Sequence, residues 1–146
     1  MRLAMFQPDI PQNLGAAIRL CACLGIGLDV IRPAAFPLDD RDLRRTAMDY
    51  ADAADITLHA GWQAFQVARA DRRLVLMTTR AASDLHDFAF QPDDVLLMGR
   101  ESSGVPDAVH DTADARIRIP MAGGARSLNV VTAAAMALGE AIRQIR

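Results

Sequence analysis

Val95-Leu96-Leu97-Met98-Gly99-Arg100-Glu101-Ser102-Ser103-Gly104-Val105-Pro106 is the stretch on which the reading of the fold turns. An unbroken apolar run of this length reads as a parallel strand buried on both faces, because a strand with one wet face would alternate. Gly99 closes the run. Pro106, whose fixed φ suits a first helical turn, opens a short helix to about Thr112. In an α/β protein such strand-to-helix junctions sit at the carboxyl edge of the sheet, where ligands bind. Two further junctions have the same form. Pro11-Gln12-Asn13-Leu14-Gly15-Ala16-Ala17-Ile18-Arg19 follows the apolar run Leu3–Gln7, and Ile119-Pro120-Met121 runs into Ser127-Leu128-Asn129-Val130. Three junctions of this kind predict a small-molecule site built from backbone loops, with glycines and prolines allowing tight turns and close approach.

Outward from these junctions, strand and helix alternate. Strands are expected at Leu3–Gln7, Leu28–Ile31, Ile56–His59, Leu74–Thr78, Val95–Met98 and Ala115–Ile119. Helices are expected over Leu14–Leu24 with Asn13 as cap and Gly25 beyond the end, from Asp39 and Asp40 to about Met48, over Trp62–Arg69, and over Ser127–Ile145. Ala81–Pro92 reads as a loop with one helical turn. The predicted class is α/β, a mostly parallel six-stranded sheet with helices on both faces, in a single domain over residues 1–146.

Composition narrows the function. Hydrophobic residues make up 51% and charged residues 23%, ordinary for a soluble globular chain. No apolar run approaches the ~20 residues of a membrane span, and Met1–Pro8 is too short for a signal h-region, so a cytoplasmic location is expected. All 16 basic residues are arginine, which excludes a Schiff-base lysine, a phosphate-loop lysine or a lysine general base. The net charge of −2 does not mark a nucleic-acid binder, but a local patch can hide within it. Arg41, Arg44 and Arg45 share one face of a helix; Arg69, Arg72, Arg73 and Arg80, and Arg116, Arg118 and Arg126, form two more clusters. Cys21 and Cys23 point to different helix faces, so they read as buried thiols rather than a disulfide or half a metal site.

Several familiar signatures fail. Gly25-Ile26-Gly27 precedes a strand instead of following one, Val105-Pro106 stand where a Walker loop needs Lys and Ser/Thr, and Ser102-Ser103 lack the glycines of a nucleophile elbow. His59, His86 and His110 are isolated and read as surface or satisfied structural histidines, so no metal is expected.

The junctions themselves carry a resemblance. Pro11–Leu24, Phe36-Pro37-Leu38-Asp39-Asp40 with Leu43-Arg44-Arg45, Asp49-Tyr50, Thr78-Thr79, Gly99–Pro106, and Arg118-Ile119-Pro120-Met121 with Arg126-Ser127-Leu128-Asn129 fall in order along the whole chain. In this the chain resembles the SPOUT superfamily of RNA 2′-O-methyltransferases, most of all the small tRNA enzymes that modify the wobble nucleotide. The resemblance implies a C-terminal deep trefoil knot, a homodimer, and S-adenosylmethionine converted to S-adenosylhomocysteine. It assigns cofactor binding to Met77, Gly99, Glu101, Gly104, Ile119, Ser127 and Leu128, and catalysis to Arg19 with Ser127 and Asn129 lining the methyl-transfer site. Contact with the tRNA anticodon stem-loop falls to Asn13 and to Arg41, Arg44 and Arg45. Val131 and Gly139 depart from the family pattern, where Ser or Asn and Tyr are common. Gly139, costing about 1 kcal/mol inside a helix relative to Ala, implies close packing against it. Two other readings stand beside this one: a related module that binds RNA or cofactor without turnover, and a flavodoxin-like nucleotide-binding domain.

Overall fold

Alternation in the strands sets the layers. Leu3 and Met5 of β1 (Arg2–Phe6) face one way, and Ala4 and Phe6 the other, so each set meets a different core. A computed structural model describes residues 1–39, 41–42, 45, 50 and 53–146. On the first face Leu3, Met5, Leu28, Val30, Leu96 and Met98 pack under two helices, α1 (Pro11–Leu24) and α4 (Val130–Ile145). On the second, Ala4, Phe6, Ile31, Leu76 and Leu97 pack under α2 (Trp62–Arg69) and α3 (Asp107–Asp111). Helices on both faces leave the central strands dry on both sides, which accounts for their unbroken apolar runs.

The remaining strands are β2 (Gly27–Ile31), β3 (Ile56–His59), β4 (Leu74–Met77), β5 (Ser83–Asp84), β6 (Val95–Met98) and β7 (Ala115–Arg118), in the order β3-β2-β1-β6-β4-β7-β5. Every pairing between these strands is parallel. Among the described residues the sheet thus has seven strands rather than the expected six. The addition, β5, arises in the stretch expected to be a loop: two residues pair with Ile117 and Arg118 at the sheet edge and lead into a 3-10 turn, Leu85–Asp87. A two-residue edge strand has too few positions to show a period in sequence.

Helix boundaries bring further corrections. α1 opens on Pro11 in its first turn with Ile10 before it, and Asn13 makes no cap. α4 starts at Val130, not Ser127, because Asn129 Oδ1 accepts from Val131 N (2.9 Å) and Thr132 N (3.2 Å) and so caps the helix itself. Asp39 Oδ1 accepts from Asp42 N (2.8 Å), but most of the helix expected after it, with Arg44, lies outside the described residues. Cys21 is buried while Cys23 is exposed, correcting the expectation of two buried thiols. A Cβ at Gly139 would meet nothing within 4 Å among the described residues, so the expected close packing is not found there.

Candidate active site

β1 lies between β2 and β6, and the chain leaves it toward β2 and later returns on the other side. The crevice at such a switch point is where open α/β sheets bind ligands. Here the carboxyl ends of β4, β6 and β7 surround a cavity of about 460 Å³. Met77 and Thr78 line it from β4, Gly99 and Glu101 from β6, and Ile119 from β7, with Ile10 and Asn13 on the side of α1. That size suits a nucleoside-sized ligand.

The loop after β6 is shaped by two glycines. Arg100 N donates to Gly104 O and Gly104 N to Arg100 O, both at 2.9 Å, folding the loop back on itself. Gly104 sits at φ +68°, in the left-handed region, and a Cβ on Gly99 would stand 2.7 Å from the Gly104 backbone. Only glycine at both positions lets the two strands of the loop touch and leaves main-chain groups facing the cavity.

A directed chain of hydrogen bonds joins the three junctions. Because Asn129 turns its Oδ1 to the helix it caps, its Nδ2 is left to donate to Asn13 Oδ1 (3.1 Å). Asn13 Nδ2 in turn donates to Glu101 Oε1 (3.0 Å), and Asp9 N donates to Glu101 Oε2 (2.8 Å). Both Glu101 oxygens are therefore engaged, so the carboxylate anchors its loop. Asp9 is tied to the same loop through its side chain. Arg100 Nε and Nη2 donate to Asp9 Oδ1 (3.0 and 2.7 Å), and Ser102 donates to Oδ2 through its N (3.1 Å) and its Oγ. The hydrogen bonds from Ser102, then those from Arg100, hold the Asp9 carboxyl below the usual range.

Of the residues named from sequence, the structure brings Met77, Gly99, Glu101, Gly104, Ile119, Ser127, Leu128, Asn129 and Asn13 to this one cavity. Arg19 does not line it. It is exposed on α1, its guanidinium carbon 4.9 Å from the centre of the Tyr50 ring. Arg41 and Arg45 are also exposed and away from the lining, and Arg44 is not among the described residues. Sequence reasoning gave no site role to Asp9, and named Thr79, Arg118 and Arg126 only within motifs and a basic cluster. Arg118 Nε donates to Asp84 Oδ1 (2.7 Å), while Arg126 has no partner among the described residues. The polar run Gln7–Asp9 beside the first junction was the available signal for Asp9.

The histidines divide. His59 is buried against Asp29 (2.8 Å) and His86 is exposed, but His110 keeps a buried Nε2 with no partner among the described residues, so it is not the satisfied residue expected. Among the described residues no cluster of His, Cys, Asp or Glu could hold a metal ion, and no helix is long and apolar enough to cross a membrane.

Comparison with known proteins gives one consistent picture. A model of the SpoU rRNA methylase family matches residues 1–139. A protein of Beijerinckia indica named tRNA (cytidine(34)-2′-O)-methyltransferase is 55% identical over 145 residues, covering 98% of this chain and 91% of the relative. A structure described as giving insights into the 2-OH methylation of C/U34 on tRNA superposes with a TM-score of 0.90 at 38% identity, covering 98% of this chain and 94% of that one. The SpoU methyltransferase AviRb from Streptomyces viridochromogenes, in complex with the cofactor AdoMet, superposes at 0.82 with 30% identity, covering 99% and 60%.

Proposed function

This chain belongs to the SpoU rRNA methylase family, and from that membership we propose that it transfers a methyl group from S-adenosylmethionine to the ribose 2′-hydroxyl of the wobble nucleotide, cytidine or a 5-modified uridine, in tRNA. The observation that carries the reading is the bonded union of three loops around a cavity whose floor only glycine permits. The residues present fit the cofactor. Main-chain groups at Met77, Gly99, Ile119 and Leu128 can read an adenine edge, and Ile10 and Leu128, each 41% exposed beside the opening, offer apolar walls to a planar ring. S-adenosylmethionine, when bound, supplies an electrophilic methyl group on a sulfonium and leaves as S-adenosylhomocysteine.

What remains for the protein is alignment and the handling of one proton. Asn129 and Asn13 fix the third junction against the first, while Ser127 and Asn129 line the side where the ribose enters. The Arg19 guanidinium grips the phosphate next to the target ribose and stabilises the alkoxide developing on its oxygen, with the proton passing to water. Arg126, exposed and without a partner among the described residues, together with Arg41, Arg44 and Arg45, supplies phosphate contacts that set register on the anticodon stem-loop.

The same reading includes a trefoil-knotted C-terminal part, a cytoplasmic location and a homodimer with its sites near the subunit boundary. Supporting the dimer, Met136 and Gly139 on α4 and Arg19 on α1 are exposed, and Arg19 stands outside the lining of the cavity. The deciding experiment is mass spectrometry of tRNA nucleosides from a deletion strain, with methyl transfer by the purified protein restoring the loss. A missing ribose methyl at the wobble position supports the assignment. Loss elsewhere, or none, overturns it.

A further inference from the structure

We propose that Asp9 is a positioning residue for the cofactor, a clasp on the first junction that holds the Gly99–Gly104 loop in its binding shape. This inference rests on the methyltransferase reading of the cavity. Asp9 precedes α1 and is not among the residues lining the cavity, so its effect must pass through others. Its carboxylate receives four donors, two from Arg100 and two from Ser102, and its own N–H holds Glu101 Oε2. Three consecutive residues of the loop are thus tied to one residue outside it. Gln7, at φ +46°, strengthens the attachment: its Oε1 accepts from Arg100 Nη1 (3.4 Å) and its N donates to Ile31 O (2.9 Å). A backbone that a non-glycine residue rarely adopts persists here because the surroundings hold it.

The loop cannot hold itself in this way. Gly99 and Gly104 give it close approach but also the greatest freedom to leave that shape, and within the loop only the Arg100–Gly104 pair of main-chain bonds opposes it. A ligand bound by such a loop must bear the cost of ordering it unless something else has done so already. Asp9 does so, and places the loop in register with α1, which carries Asn13 and Arg19.

The test is titration calorimetry with S-adenosylhomocysteine on the full chain and on Asp9→Ala, Arg100→Ala and the double variant, with amide exchange of Arg100–Gly104 in the free protein. Each single variant is expected to weaken binding about tenfold, with the double no weaker than the weaker single, because both break one clasp. Exchange across the loop is expected to accelerate in all three, while the thermal midpoint moves by only a few degrees. Asp9→Asn, which keeps an acceptor for Arg100 and the main-chain bond to Glu101, is expected to recover part of the affinity. Losses that multiply in the double variant would assign Arg100 a separate contact with the ligand and overturn the clasp. Unchanged affinity in Asp9→Ala would do the same. Failure of the unmodified protein to bind S-adenosylhomocysteine sinks the methyltransferase reading instead, and the exchange data then decide the clasp alone: unaltered exchange overturns it.

Discussion

The two edges of the sheet use the same chemistry to opposite ends. At the amino edge Arg73, just before β4, donates from Nε and Nη2 to the two oxygens of Asp94, just before β6, at 2.7 Å each. Asp94 is fully buried and also receives Gln91 N (2.8 Å). Nearby, Arg2 Nε donates to Asp29 Oδ2 (2.7 Å) and His59 closes on Oδ1, with only about 20 Å³ of free space beside them. At the carboxyl edge Arg100 and Asp9 form a similar pair, yet it ties loops together beside some 460 Å³ of open cavity. The Arg73–Asp94 pair ties the amino ends of two strands together, whereas the Arg100–Asp9 pair ties two loops beside a candidate ligand site. Position on the sheet, more than the pair itself, decides which.

Substitutions at the two edges should therefore separate activity from stability. The largest effect is expected from Arg19→Ala: methyl transfer to tRNA falls about 100-fold or more while S-adenosylhomocysteine affinity stays within about twofold. Near-normal turnover would remove Arg19 from the chemistry. Asp94→Ala should cost about 2–3 kcal/mol in denaturant unfolding, since it strands a partly buried guanidinium, and should leave cofactor affinity unchanged. If affinity fell with stability, the edges would not be independent. Gly99→Ala, which pushes a Cβ against Gly104, should lower S-adenosylhomocysteine affinity about tenfold with little change in the unfolding midpoint, the reverse pattern.

Gly139→Ala is smaller. With open space around it on an exposed helix face, it should gain about 0.5–1 kcal/mol in the monomer. A loss, accompanied by weaker self-association in sedimentation, would place a second copy against that face. The smallest effect is on acid stability. Because the folded Asp9 carboxyl lies below its ordinary 3.8, its contribution is complete above about pH 4 and fades as pH falls through the folded value. The stability difference between the wild-type chain and Asp9→Asn should shrink as pH falls below about 4. A constant difference would mean that Asp9 gains nothing from its charge.

Glycine, proline and apolar runs made much of this legible. Val95–Met98 and Leu74–Thr78 announced buried strands, and Pro11, Gly99 and Pro106 marked the strand-to-helix junctions. Boundaries were less legible, for a local reason: the side chains of Asn13 and Asn129 can each cap a helix or reach across to another loop, and both compete for the same groups. Asn129 caps and reaches; Asn13 only reaches.

Sequence by itself determined the class of fold, the edge at which a ligand site is expected and the kinship that names the chemistry, because strand burial, turn residues and motif spacing are written locally and in order. Only the tertiary structure decided that Asp9 faces Arg100 across 91 positions, that Asn13 meets Asn129 across 116, and that Arg19 stands outside the cavity. Those pairings depend on strand order in the sheet, β6 lying beside β1, and no local pattern of residues encodes which strands become neighbours.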